Sequence, residues 1–463
     1  MNQKEFDLNI EEILVDWQPY HAVREIISNA LDEKVLSKSK EIKIFKDEKG
    51  SWHVRDFGRG VRREHLTQNE NQEKLGCDNL IGKFGIGLKD AIATFNRHGI
   101  QINIQSKHEN ITTRRMSKSG FDDIQTIHAI LDDPVSKNME GTDVIISGIS
   151  DEEVQKALDL FIQFSSSAPI TKTQYGEIYQ KIGEKGIIYI NGLKVAEENN
   201  FLFSYNITSL NSQIKKSLNR ERTNVGRTAY SERVKSILLS TQDETVASIL
   251  AEEFSGLQTG EMSDELNWID VQYHAIEILN SMGTYVFMTQ LEAFSSPDAI
   301  DEIKRQGKSV LVVPENLRSK ISGSTDKQGN LIVDFDQFIR LYNDDFDYHF
   351  IDEKKLTKFE RKVLAYQNKI LKLIGGLPST VSEIKISSNI RTDFASDYRT
   401  DGVYDSKSRL IVLHRRVLMS LSDFAGILTH EVTHARTGLP DVNRGFESEL
   451  TKVIGQVIEK MLR

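Results

Sequence analysis

Four short pieces, in a fixed order within the first 150 residues, constrain this chain more than anything else in it. The first is "AVREIISNALDEKVL", residues 22–36, whose spacing predicts an amphipathic helix. Val23, Ile27, Ala30 and Leu31 share one face, while Glu25, Asn29 and Asp32 share another. The second, "RDFGRGV", carries Asp56, Gly58 and Gly60 after a strand. The third, "GKFGIGLKDA", places Gly82, Gly85 and Gly87 at the opening of a helix. The last is "GTD", with Thr142. Glycines ahead of a helix N-terminus let backbone N–H groups approach phosphate oxygens, and the helix dipole favours the negative charge. Glu25 can serve as base toward a water, and Asn29, one turn on, can hold Mg²⁺. A buried Asp56 can accept from a purine amino group, which would select the base.

Around these pieces the pattern is α+β and multidomain. Strands are expected in "EIKIFKD" and "SWHVRDFG", turning at Lys49-Gly50, and in "IQINIQSK" and "GTDVIISGI". A helix, "LKDAIATFNRHG", stops at Gly99. Residues 1–150 read as one α/β domain. Residues 151–245 read as a second, with a helix in "EEVQKALDLFIQFSS", a hairpin turning at Asn191-Gly192 and a helix in "SERVKSILLST". Residues 246–345 read as a small α/β domain, with the strands "GTYVFMT" and "KSVLVVP" on either side of the helix "SPDAIDEIKRQG". Residues 346–463 read as mainly helical, with a long helix in "EKKLTKFERKVLAYQNKILKLIGG" and a strand in "RLIVLHRR". A formal net charge of −9 argues against a dedicated nucleic-acid binder. The single cysteine, Cys77, excludes a disulfide within the chain and favours a reducing, cytoplasmic setting. The opening residues are acidic and lack an apolar run, so no signal peptide is expected, and no stretch is apolar enough to predict a membrane span.

The order and spacing of the four pieces resemble the GHKL ATPases, which include gyrase B, MutL, the ninety-kilodalton heat-shock chaperones, MORC proteins and histidine-kinase catalytic domains. The resemblance covers about residues 10–150, and more loosely a transducer-type domain to about 245. It implies a Bergerat-type α/β sandwich binding ATP and Mg²⁺, with Glu25 as general base and Asn29 as magnesium ligand. Asp56, assisted by Thr142, would contact adenine. Gly58 and Gly60 would belong to the nucleotide-binding residues beside it, and Gly82, Gly85 and Gly87 would form the phosphate lid. Residues 61–81 would form a mobile lid. Lys215, Lys216, Arg220 and Arg222 are all candidates for a γ-phosphate contact from the transducer domain. A glutamate at position 25 points to hydrolysis rather than to a histidine kinase.

A second site is expected near the C-terminus, in "ILTHEVTHARTGLPDVNRGFESELTKVIG", residues 427–455. Ser422 suits a helix N-cap, and Gly438 with Pro440 marks the helix end. His430 and His434, one turn apart, can reach one metal, and Glu431 can deprotonate a metal-bound water. A third protein ligand is wanted. If Phe446, Leu450, Val453, Ile454, Val457 and Met461 form the buried stripe of the last helix, Glu447 falls at its edge and Glu449 points away. Glu447 is therefore the expected third ligand of a Zn²⁺ ion.

HExxH, a turn, then a glutamate on the following helix resembles the gluzincin metallopeptidases, over about residues 395–463. The resemblance implies peptide hydrolysis, with "RLIVLHRR" as the edge strand that receives an extended substrate. Tyr404, His414 and Arg444 are candidates for stabilising the transition state. Asp441 is either an orienting partner of a ligand histidine or a turn residue. Together the two resemblances imply an ATP-dependent homodimer whose nucleotide state gates a zinc peptidase acting on a protein or peptide substrate. Two alternatives stand beside this: a GHKL switch or clamp with a structural zinc, and a nucleic-acid-acting ATPase of the MORC or MutL kind.

Overall fold

The computed structural model describes the whole chain except residues 1–3, 11–15, 68–73, 75, 76, 78, 83–86, 119, 219–224, 255–261, 345, 392–399 and 442. It is a mixed α+β, multidomain protein. The chain divides into two compact units, Met1–Ile278 and Leu279–Arg463, so the division falls inside the 246–345 segment.

The first unit holds two sheets. Seven strands, β1 (Lys4–Asp7), β2 (Lys43–Lys46), β3 (Trp52–Arg55), β4 (Gln101–Ser106), β5 (Asn110–Lys118), β6 (Phe121–Asp132) and β7 (Thr142–Ser147), pair in the order β1-β6-β5-β4-β7-β3-β2. Every pairing is antiparallel. The helices Pro19–Ser37 and Gly87–Arg97 pack on this sheet, burying Val23, Ile27, Ile92, Phe95, Ile104 and Ile146 in one core. Strand β5 carries no clean alternation, with Thr, Arg and Ser exposed or half-exposed and Ile111 as its buried residue, so periodicity alone does not reveal it.

The second sheet comprises β8 (Pro169–Lys172), β9 (Gly176–Gln180), β10 (Gly186–Ile190), β11 (Leu193–Glu198) and β12 (Phe203–Ile207), in the order β11-β10-β12-β9-β8. The β10–β11 hairpin turns at Asn191 and Gly192, both at positive φ (49° and 85°), as a two-residue Asn-Gly turn requires. The Arg227–Ser240 helix packs on β9 and β12.

In the second unit, β13 (Tyr285–Met288) and β14 (Ser309–Val312) are parallel and joined by the Pro297–Arg305 helix. Three further strands, β15 (Glu383–Ser387), β16 (Gly402–Asp405) and β17 (Leu410–His414), pair in the order β15-β17-β16. Here three expectations change. The long helix expected up to Gly375-Gly376 is two short helices, Lys358–Leu364 and Gln367–Leu373. Between them the Tyr366 N–H bonds the Val363 carbonyl, an i−3 contact that tightens the turn and resets the helical phase. Strand β17 is central, not an edge. Ile411, Val412 and Leu413 are all fully buried, and an unbroken apolar run is the signature of a strand covered on both faces. The N-cap of the Leu421–Thr437 helix is Ser420 rather than Ser422, and its hydroxyl accepts from the Asp423 N–H.

Gly141, before β7, has φ 72°, and a Cβ there would stand 2.0 Å from the Asp56 carbonyl oxygen. Gly141→Ala is expected to lower unfolding free energy by about 2 kcal/mol or more, and Ser420→Ala by about 1 kcal/mol, both measurable by urea titration.

Candidate functional sites

The Pro19–Ser37 helix turns a polar row toward the interior: Glu25 is 3% exposed and Asp32 1%. Glu25 is ion-paired to the buried Arg24 guanidinium at 2.9 Å, which itself lies over the Trp17 ring. The other Glu25 oxygen meets Gly87, where a Cβ would come within 2.3 Å of it. The carboxylate therefore sits against the start of the Gly87–Arg97 helix. Asp32 accepts from the backbone N–H groups of Ile81 and Gly82, at 2.7 and 2.8 Å, and from Lys74 Nζ at 3.0 Å. Lys74 also donates to Asn29 Oδ1 at 3.2 Å.

Asp56 follows β3 and is 5% exposed. Its Oδ1 accepts from the Gly58 N–H at 2.9 Å and the Thr142 N–H at 3.2 Å. Burial pushes its carboxyl up to about 6, against the pull of the Gly58 hydrogen bond. Thr142 Oγ1 accepts from the Val61 N–H. Glu33 clasps Arg59 through both carboxylate oxygens. Burial works against the charged form of Glu33, yet its hydrogen bonds from Arg59 prevail and hold it below the ordinary range.

Asn29, Asp56, Gly60, Lys74, Gly87 and Thr142 all line one cavity of about 400 Å³. Gly58 does not line it. Its lack of a Cβ admits Glu33, which would otherwise lie 2.4 Å away. Gly82 is bound back onto Asp32 by its own N–H. Gly85, Arg220, Arg222 and most of the expected lid between 68 and 78 lie outside the described residues. Lys215 and Lys216 are exposed on a short helix, Ser212–Ser217. Sequence reasoning missed Lys74, Glu33 and Arg59, whose partners are distant in the chain.

In the second unit, His430 Nε2, His434 Nε2 and Asp441 Oδ1 converge, with mutual distances of 2.7, 2.9 and 3.0 Å. His434 Nδ1 donates to the Leu439 carbonyl at 2.7 Å, which leaves Nε2 as the ring nitrogen that faces His430 and Asp441. Two imidazole nitrogens and a carboxylate oxygen this close together can hold a cation, and such a set suits zinc. Among the described residues this is the one trio of His, Cys, Asp or Glu side chains that close together.

Glu447 does not belong to it. It is exposed on the Arg444–Leu462 helix, while Phe446 is buried and stacks on His434 with ring centroids 4.2 Å apart. The stripe argument placed it wrongly because Ile454 and Met461 are 52% and 72% exposed. Without them the stripe centres on Phe446, Leu450, Val453 and Val457, and Glu447 turns away. Asp441, from the loop, is the carboxylate that stands beside the two histidines.

Glu431 is 6% exposed and pushed up to about 8 by burial and by the neighbouring Asp441 charge. The Tyr404 backbone N–H donates to it from β16, and Gly402 on the same strand leaves it room, since a Cβ would lie 2.8 Å from Glu431 Cγ. The Tyr404 hydroxyl points to the Thr380 carbonyl, His414 bonds the Ser388 carbonyl, and Arg444 is exposed. None of these three side chains is brought to the histidines.

Residues 152–244 match the family described as the Mycoplasma pneumoniae MPN635 N-terminal domain, a span that takes in the five-stranded sheet and the Arg227–Ser240 helix. An uncharacterised protein of Mycoplasma pneumoniae (strain ATCC 29342 / M129 / Subtype 1) is 39% identical over 241 residues, 51% of this chain and 96% of that protein. The chain belongs to that protein's family. A second uncharacterised protein of the same organism is 24% identical over 341 residues, 67% of this chain and 93% of its own length. Both matches are longer than the 152–244 span, so the kinship reaches beyond that domain.

Zinc affinity separates the two third-ligand assignments. Asp441→Ala is expected to weaken it by at least tenfold and Glu447→Ala to leave it unchanged, as read by competition with a chromogenic chelator.

Proposed function

We propose that this chain is an ATP-binding and ATP-hydrolysing regulatory protein with a zinc-dependent peptidase activity under nucleotide control. The observation that carries the reading is the meeting of the sequence-distant residues Asn29, Asp56, Gly60, Gly87 and Thr142 around one cavity, with Glu25 buried against Gly87. In it Asp56 accepts from the adenine amino group, with Thr142 holding the carboxylate in place. Glu25, beside the start of the Gly87–Arg97 helix, takes the proton of the attacking water. Asn29 offers its side-chain oxygen to Mg²⁺. ATP-dependent homodimerisation belongs to the same reading and is followed by light scattering with and without nucleotide.

At the second site His430, His434 and Asp441 hold zinc. When bound, zinc supplies a Lewis acid that acidifies a water and polarises a carbonyl. Glu431 receives the proton on its buried carboxylate. Strand β16, an edge strand packed against the Leu421–Thr437 helix, is the face along which an extended peptide substrate lies.

Three outcomes are expected. Asp56→Ala lowers ATP affinity by at least tenfold, measured with a fluorescent nucleotide. In the wild type, affinity holds above pH 7 and falls about tenfold by pH 5, because the accepting form is the ionised one and Asp56 takes up its proton near 6. Glu431→Gln removes peptide cleavage by 10²-fold or more, on the order typical of a lost acid–base group, while zinc stays bound. Unchanged cleavage in that variant rejects the peptidase reading.

A further inference from the structure

We infer that Lys74 is an internal counter-ion for the nucleotide cavity, so that its ammonium and a Mg²⁺ ion occupy the Asn29–Asp32 position in mutually exclusive states. This rests on the nucleotide-binding reading above. Lys74 Nζ stands 3.2 Å from Asn29 Oδ1 and 3.0 Å from Asp32 Oδ2, and its side chain is only 15% exposed. Asn29 Oδ1 is the atom that a magnesium ion would take, and the ammonium already donates to it. An ammonium is a compact point charge with three donors, well matched to a pair of oxygens that otherwise wait for a metal. Two cations on the same oxygens repel strongly in a partly desolvated cavity. Magnesium therefore reaches Asn29 only when Lys74 leaves.

Asp32 does not depend on Lys74 to stay in place. The Ile81 and Gly82 N–H groups hold its two oxygens at 2.7 and 2.8 Å. The carboxylate is thus fixed while the cation beside it is exchangeable. The ion pair keeps a buried negative charge neutralised in the nucleotide-free protein.

The test uses the full chain and a non-hydrolysable ATP analogue, with Mg²⁺ titrated in calorimetry. Lys74→Gln is expected to lower the half-saturating Mg²⁺ concentration by about tenfold, because the competing state is gone. Lys74→Met, which keeps the apolar stem, gives the same shift, and Lys74→Arg, which keeps the charge, stays near the wild type. A wild-type half-point in both neutral variants, with the analogue still bound, overturns the counter-ion proposal and leaves the nucleotide reading standing. Failure of the wild type to bind the analogue at any Mg²⁺ concentration overturns both.

Discussion

Carboxylates packed against glycine backbone are the constraint on which both candidate sites depend. Glu25 lies against Gly87, Glu33 against Gly58 and Glu431 against Gly402, each in space that a Cβ would fill. A buried carboxylate is costly unless it is hydrogen-bonded or paired. The close approach to glycine brings the partner within reach for two of them, Arg59 for Glu33 and the Tyr404 N–H for Glu431, while Glu25 pairs with its chain neighbour Arg24. The glycines are therefore part of the electrostatics. They set how near a charge can come to a helix start or a strand, and so how strongly burial acts on it.

The same logic separates the two sites in character. Around the cavity of the first unit Glu25, Asp32 and Glu33 are held by opposite charges and backbone donors, and Arg59 keeps Glu33 below the ordinary range. Asp56 is raised to about 6 because burial outweighs its two backbone bonds. At the histidine cluster two imidazoles and a carboxylate face each other, and Glu431 is raised further, to about 8. One site is already neutralised by its own side chains. The other has a donor set that a cation completes.

Much of this was legible in the chain itself, for identifiable reasons. The Pro19–Ser37 helix, the β2–β3 and β10–β11 turns and the Gly438 helix end rest on local rules of spacing and positive φ. Asn29, Asp56, Gly60, Gly87 and Thr142 could be gathered because the order of their motifs resembles that of the GHKL ATPases. Tertiary choices were less legible. Whether Ile454 and Met461 are covered depends on what packs beside the last helix, and that sets which way Glu447 faces. The central position of β17 depends on two partner strands, one of them after Ser382 and the other before Leu410. Lys74 sits in a polar stretch whose composition says nothing of Asn29, some 45 residues earlier.

Strand pairing in the first unit also sets a schedule for synthesis. Asp56 is desolvated only once β3 has paired with β7 and Thr142 has arrived beside it. On a ribosome adding about 5–20 residues per second, that partner emerges seconds after Asp56 itself. Until then β3 has β2 on one side and an open ladder on the other. The Asp56 end of the cavity is thus one of the last parts of its domain to close. A nascent chain stalled before β7 would hold the glycines and acids of the site, but with the Asp56 carboxyl still open to water.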